Sequence, residues 1–347
     1  MATYNIVAVQ RTPAQLVGPT LAELGPLEAS FSYTDQLNEA PEATLVLDTD
    51  GVQEDIKDSL RDLLAQPLEV IIYRDSVGVF QGPVVGGNIV NTELTLDCRG
   101  LEFYTAYMVV ETDKTFTTID EFTIFKELVD DWQNQDYGDY GIDTVSVGTS
   151  GTTRTYAIPG ATETRNLYEQ LIDIAYEWGY DWYVDPDTRE LTLGVRGSDK
   201  SATVFLERGV QSANVEFGIP PGSLVSELYA LGTASGESPL TTTKTDTAVR
   251  NTFGRVGLPV TFDGADDATN LSDAADAYIA DRGSAYFAPG PAIVPITGAG
   301  VDDFNVGDTV TYTFDAGIGQ TTGAWRVRKR TVSVDPTGKE SMQVEFI

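Results

Sequence analysis

Residues 164–195, TRNLYEQLIDIAYEWGYDWYVDPDTRELTLGV, decide how the rest of the chain is read. Leu167, Leu171, Ile174, Ala175 and Trp178 recur at helical spacing and share one stripe, while Glu169, Gln170, Asp173 and Glu177 face away. Thr162 or Thr164 can cap the start of this helix, and Gly179 can take the left-handed conformation that ends it. The period then shortens, with Tyr180, Trp182 and Val184 alternating with Asp181, Tyr183 and Asp185 as in a half-buried strand. Asp185, Pro186, Asp187 and Thr188 form a turn in which proline fixes φ, and Leu191, Leu193 and Val195 return as the partner strand. The stretch is a helix packed on a hairpin, and it carries no chemistry by itself.

On its amino-terminal side the first hundred residues read as β-structure. Strands are expected at residues 4–9, 27–33, 43–47, 68–73, 79–85 and 94–98, with one short amphipathic helix marked by Val52, Ile56, Leu60 and Leu63 or Leu64. From about residue 101 the texture changes. Phe122, Phe125, Val129 and Trp132 mark a second helix begun by Thr118 or Asp120, and a strand pair runs up to residues 156–158. Beyond the opening stretch, strands return at 204–206, 213–217 and 224–231. Residues 232–247, rich in Ser, Thr and Gly, read as an exposed loop, and residues 270–282 as a helix using Leu271, Ala275, Tyr278 and Ile279. A proline-rich passage at 288–291 precedes a last β block, in which residues 324–332 pair with 342–347. The expected class is α+β and mainly β. The expected units are 1–100, 101–200, a discontinuous β unit of 201–231 with 288–347, and a helix-bearing insertion at 232–287.

Composition narrows the function. The chain has 53 acidic and 22 basic residues, a net charge of −31, 15 Arg against 7 Lys, and no histidine. Such self-repulsion opposes folding in dilute buffer and is screened in molar salt, where the Debye length is about 3 Å. This is read as adaptation to a high-salt milieu. The apolar residues, 41% of the chain, are spread along it with clear periodicity, which argues against disorder. A surface this acidic offers no patch for sequence-specific nucleic-acid binding. No apolar run approaches the roughly 20 residues of a membrane-spanning helix, and the start lacks the pattern of a signal peptide.

Without histidine there is no Ser-His-Asp triad, Cys-His pair or HExxH zinc site, and neither a P-loop nor a dinucleotide-binding glycine motif is present. Asp48 with Asp50 and Asp185 with Asp187 begin like calcium loops, but position twelve holds Ser59 and Arg196 where glutamate is needed. No catalytic residue, metal ligand or cofactor is assigned. Cys98 reads as a small buried hydrophobe. Trp178, Tyr180, Trp182 and Tyr183 form either a sugar-stacking platform or core. Arg326, Arg328 and Arg330 alternate to one face, with Lys329 beside them, and are expected to pair with acids or a neighbouring subunit. Asn270-Leu-Ser272 is a formal glycosylation sequon.

The order of these landmarks resembles the tail-tip or baseplate hub proteins of tailed phages and related archaeal viruses. The segments at 27–47, containing Leu37-Asn-Glu-Ala-Pro41, at 73–82, at 95–101 and at 166–187 resemble successive parts of the first two domains. Val306-Gly-Asp-Thr-Val310, Trp325-Arg-Val327 and residues 334–340 resemble the carboxy-terminal barrel. The resemblance implies a non-enzymatic virion protein forming a homotrimer. Residues 1–100 and 201–231 with 288–347 would be two β-barrel-like tube domains per subunit, building a pseudo-sixfold ring that closes the tail tube. The α+β parts at 101–200 and 232–287 would be peripheral. Implied partners are a tail tube or distal tail protein, a tape measure protein, fibre or spike proteins, and viral DNA passing through the lumen without specific binding. A halophilic carbohydrate-binding or carbohydrate-active protein using Trp178 and Trp182 is the alternative, and an adhesin-like capsid or fibre protein a third.

Overall fold

The computed structural model describes residues 2–10, 20–23, 30–48, 68–110, 112–136, 138–158, 166–207, 212–216, 225–232, 240–262, 265, 267–284, 290–293, 300–315 and 320–347. The helix expected around 52–64 lies outside them. Before the helix–hairpin come β1 (Tyr4–Gln10), β2 (Thr20–Glu23), β3 (Ser30–Gln36), β4 (Glu42–Asp48), β5 (Leu68–Arg74), β6 (Val77–Val90) and β7 (Glu93–Arg99). A 3-10 helix at Leu101–Tyr107 leads to β8 (Lys114–Asp120), α1 (Glu121–Gln133) and β9 (Thr153–Ile158). Then follow α2 (Leu167–Trp178), β10 (Asp181–Val184), β11 (Leu191–Gly194), β12 (Phe205–Glu207), β13 (Ser212–Glu216), β14 (Glu227–Gly232) and β15 (Leu240–Thr245). The chain closes with α3 (Thr247–Phe253), β16 (Gly257–Phe262), α4 (Ala268–Ser284), β17 (Gly290–Ile293), β18 (Thr309–Asp315), β19 (Gln320–Val334) and β20 (Glu340–Phe346).

Thirteen strands join in one hydrogen-bonded sheet, ordered β13-β17-β20-β19-β3-β4-β7-β6-β5-β1-β2, with β18 on β19 and β12 on β18. The first and last β blocks meet where Lys329–Val334 lies antiparallel to Phe31–Gln36. They share one core. Phe31, Tyr33, Leu45, Ile72, Phe80 and Leu96 pack with Tyr312, Val332, Val344 and Phe346. Alternation along β4 and β20 produces this burial, because every second side chain of a strand points inward. Cys98 sits in the same core, 2% exposed, and burial pushes its thiol up to about 12.

A second core collects the parts between residues 101 and 194. In α2 the five stripe residues are buried as expected, and Gly179 ends the helix at φ 73 with its N–H on the Ala175 carbonyl. Glu177, expected to face away, is buried instead. The cap is Asn166, whose side chain accepts from Glu169 N at 2.9 Å, while Thr162 and Thr164 lie outside the described residues. Asp120 caps α1 by accepting from Phe122 N at 3.0 Å. The hairpin forms as expected, with Trp182 opposite Leu193 and Val184 opposite Leu191, but its strands exclude Tyr180 and Val195, and Val195 is 80% exposed.

A third core belongs to β14, β15, β16 and α4, with Leu228, Ala230, Leu271, Ala275 and Ile279 buried together. Two readings change here. Residues 240–245, expected as loop, are a strand paired with β14: threonine is β-branched and fits a pleated edge, and Leu240 is packed against the third core. The boundary expected at 231/232 falls inside β14, which belongs to this three-stranded sheet and not to the large one. Helix α4 in turn packs against α2 and β15. No helix among the described residues is long and apolar enough to cross a membrane.

Candidate functional site

The richest polar constellation is the junction between the first β block and the helix–hairpin unit. Two turns carry it, each with a non-glycine residue in the left-handed region: Asn38 at φ 57 after β3 and Arg189 at φ 65 in the β10–β11 turn. The Asn38 side chain donates to the Tyr180 carbonyl at 3.1 Å and accepts from Trp182 N at 2.9 Å, so one amide satisfies both edges of the hairpin's entry. Ala40 N donates to the Tyr168 hydroxyl at 2.7 Å, and Gly78 N donates to Asp187 at 3.1 Å.

Three arginines complete it. Arg189 donates to the fully buried Glu69 at 2.6 Å and to the Tyr140 carbonyl at 2.6 Å, while Gln81 donates to the same Glu69 oxygen at 3.1 Å. Arg196 grips Asp35 with two nitrogens at 2.9 and 2.7 Å, and its guanidinium carbon lies 4.1 Å from the centroid of Tyr183. Arg326 pairs with Asp181 and donates to the Arg196 carbonyl at 3.0 Å. Buried carboxylates require such partners, since an unpaired charge out of water is very costly.

Glu102 is the exception. It is 2% exposed, its Oε1 accepts from Val184 N at 2.8 Å, and its Oε2 has no hydrogen-bond partner among the described residues. The side chain lines a cavity of ≈ 50 Å³ together with Thr34, Asp35, Gln81, Tyr183 and Arg196. Burial pushes its carboxyl up to about 7, against the opposing pull of the Val184 N–H. Asp35 adds to the rise, and Arg196 opposes it.

The residues singled out in the sequence are distributed as follows. Trp178 and Trp182 are 8% and 2% exposed, edge-on to Tyr156 and Tyr168 respectively, so they are core and offer no face to a sugar. Tyr180 donates to Glu121, and Tyr183 stacks under Arg196. Asp185 accepts the N–H groups of Asp187 and Thr188 within its own turn, both at 2.9 Å. Asp48 is exposed at the end of β4, and Asp50 lies outside the described residues. Asn270 is 5% exposed and accepts from Arg154 at 2.8 Å, which removes it from the surface where a glycan would attach.

The three alternating arginines do not share a face. A register shift between Val327 and Lys329 inverts the alternation, so Arg330 turns inward, 8% exposed, and donates to the carbonyls of Val301 and Phe304 at 2.7 and 2.6 Å. Arg328 stays half-exposed, 3.6 Å from Glu39.

Sequence reasoning missed Asp35, Asn38, Glu69, Glu102 and Arg189. A signal existed for Asn38 alone: asparagine in the Leu37-Asn-Glu-Ala-Pro41 turn is the residue type that tolerates a left-handed backbone.

The fold is that of phage tail proteins. A tail protein from Neisseria meningitidis superposes over 99% of this chain and 96% of its own, with TM-score 0.66 and 14% identity. The 43 kDa tail protein of prophage MuSo2 from Shewanella oneidensis covers 99% and 98%, with TM-score 0.66 and 13% identity. Prophage tail protein gp18 from Listeria monocytogenes covers 98% and 94%, with TM-score 0.57 and 10% identity. No protein-family model matches the chain, and no curated protein does.

Proposed function

We propose that the chain is a structural virion protein, the tail-tip or baseplate hub of a tailed virus, assembled as a homotrimer. Its two β blocks, residues 1–100 and 201–216 with 288–347, supply six tube-building halves per trimer, a pseudo-sixfold ring that closes the tail tube. Residues 101–200 and 227–287 sit at the periphery and meet fibre or spike proteins, while a tail tube or distal tail protein docks above and the tape measure protein ends inside. The net charge of −31 fits assembly in the cytoplasm of a salt-loving host and a lumen that DNA crosses without sticking. The observation that supports this reading is the likeness to tail proteins over nearly the whole length of both chains. Its role is mechanical, and no catalysis is assigned to it.

The test is mass photometry of the full chain in molar KCl over a range of concentrations, with immunogold electron microscopy of intact virions. Trimers in solution and label at the tail tip are expected. Monomer at every concentration together with label away from the tail overturns the proposal.

A further inference from the structure

At the junction every buried acid but Glu102 is matched by a cation. Glu69 has Arg189, Asp181 has Arg326, and Asp35 has two nitrogens of Arg196. Glu102 has the Val184 N–H on Oε1, while Oε2 meets no donor among the described residues. The space beside that oxygen is built into the chain. Gly100 is extended at φ −62 and ψ 171, a conformation open to any residue, so its missing side chain serves room and not backbone freedom. A Cβ there would stand 2.6 Å from Glu102 Oε2 and 2.5 Å from Pro41 Cδ. Gly100, Pro41 and Glu102 all line the cavity of ≈ 50 Å³.

We infer that this cavity is a binding site for one alkali-metal cation, sodium or potassium, held against Glu102 Oε2. The inference is independent of the assembly proposed above. Size and charge select the occupant. A cavity of ≈ 50 Å³ has room for a single small ion, and its ionised lining groups are two acids, Asp35 and Glu102, against one arginine, Arg196. A divalent cation needs more carboxylates than this, and no group of three or more acidic, cysteine or histidine ligands exists among the described residues. The side chains of Thr34, Asp35, Gln81 and Glu102 supply oxygen, the donor that hard cations take. Arg196 cannot serve in the cation's place, because its nitrogens are committed to Asp35 and its face to Tyr183. Nor does it repel a cation decisively: Asp35 raises the Glu102 carboxyl more than Arg196 lowers it, so the pair leaves a negative field at that carboxyl. The groups that feel this charge are Asp35 on β3, Tyr183 on β10, Arg196 beyond β11 and Tyr168 on α2, while Gln81 on β6 is tied to Glu69. A cation here turns an uncompensated buried charge into a pair and fastens the 3-10 helix to the hairpin. A proton on Oε2 removes the same charge at low pH, so proton and cation compete for one oxygen.

The experiment melts the full wild-type chain and Glu102→Gln in molar NaCl, KCl and tetramethylammonium chloride, at pH 8 and at pH 5. Ionic strength is the same throughout, so screening is constant, and tetramethylammonium is too large for the cavity. Glutamine keeps the acceptor for Val184 N and carries no charge. At pH 8 the melting temperature of the wild type is expected to gain roughly 3 °C more than that of the variant when an alkali salt replaces the bulky one. The alkali salt giving the larger gain names the ion. At pH 5, where the proton holds Oε2, the two gains are expected to be equal. A wild type that melts alike in all three salts at pH 8 overturns the site and leaves water or a proton as the occupant. Equal gains in wild type and variant at pH 8 place the cation effect elsewhere and overturn it too. An excess gain that persists unchanged at pH 5 refutes competition at Oε2, and with it the site.

Discussion

Arg196 and Asp35 form a two-pronged ion pair at 2.9 and 2.7 Å, across a separation of 161 residues, tying the hairpin unit to the first β block. Tyr183 supports the guanidinium from one side, and the pair borders the cavity that Glu102 enters. Arg196→Ala leaves Asp35 facing that cavity without its cation, an effect on the order of 3 kcal/mol. Arg196→Lys keeps the charge and loses both the fork and the stacking, so it recovers less than half of the loss. Urea unfolding at fixed salt measures both variants. A lysine variant as stable as wild type would show that the charge alone matters and the fork does not.

Glu102 gives the junction a pH dependence whose sign is set by burial. Its folded carboxyl is raised to about 7, above the unfolded value near 4.3. The neutral form is therefore the one the fold prefers. Stability from this group is fully present below the unfolded value and is lost as pH rises through about 7. Glu102→Gln keeps an acceptor for Val184 N and cannot ionise. Thermal melts from pH 5 to 8 are expected to slope downward for wild type more steeply than for the variant. Parallel slopes would assign the dependence to other groups.

Gly82 lies where β6 passes the end of β7, and a Cβ there would stand 1.7 Å from the Arg99 carbonyl oxygen. That neighbour is backbone and cannot swing aside. Gly82→Ala is expected to destabilise the large sheet by about 3 kcal/mol, the upper range for overpacking. Gly86→Ala, whose Cβ among the described residues meets only the Asp97 side chain at 3.5 Å, is the matched control. Equal melting temperatures for the two variants would refute the close-approach argument.

The helix–hairpin was legible because its determinants are local: a stripe of five apolar residues, a glycine stop and a change of period all fall within residues 167–195. The two β blocks were legible as strands but not as one sheet, since the pairing of Arg330 with Asp35 joins residues almost three hundred positions apart. Arg330 itself was misplaced by the register shift before it, which no alternation pattern records. Residues 240–245 were read by their polarity when their β-branching decided the outcome. The junction was hidden for a related reason. Glu69, Glu102 and Asp181 look like surface acids in a chain with 53 of them, and only their distant arginine and backbone partners make them interior.

The same acids set up the last prediction, in which two salt effects compete. Screening weakens the attractive pairs that hold the junction, but Glu69 is fully buried and Asp181 is 6% exposed, so ions reach them poorly. The excess acids over bases, 53 against 22, repel one another across the surface, where a Debye length falling from about 30 Å at 0.01 M to about 3 Å at 1 M removes most of the repulsion. Relief of surface repulsion therefore outweighs the loss of junction attraction. The melting temperature is expected to rise steadily from dilute buffer to molar KCl, with the chain losing structure at the low end. In Arg196→Ala the rise should be slightly steeper, because one attractive pair no longer opposes it. Circular dichroism melts over that range decide the matter, and a melting temperature that does not move with salt would refute the reading of the charge as salt adaptation.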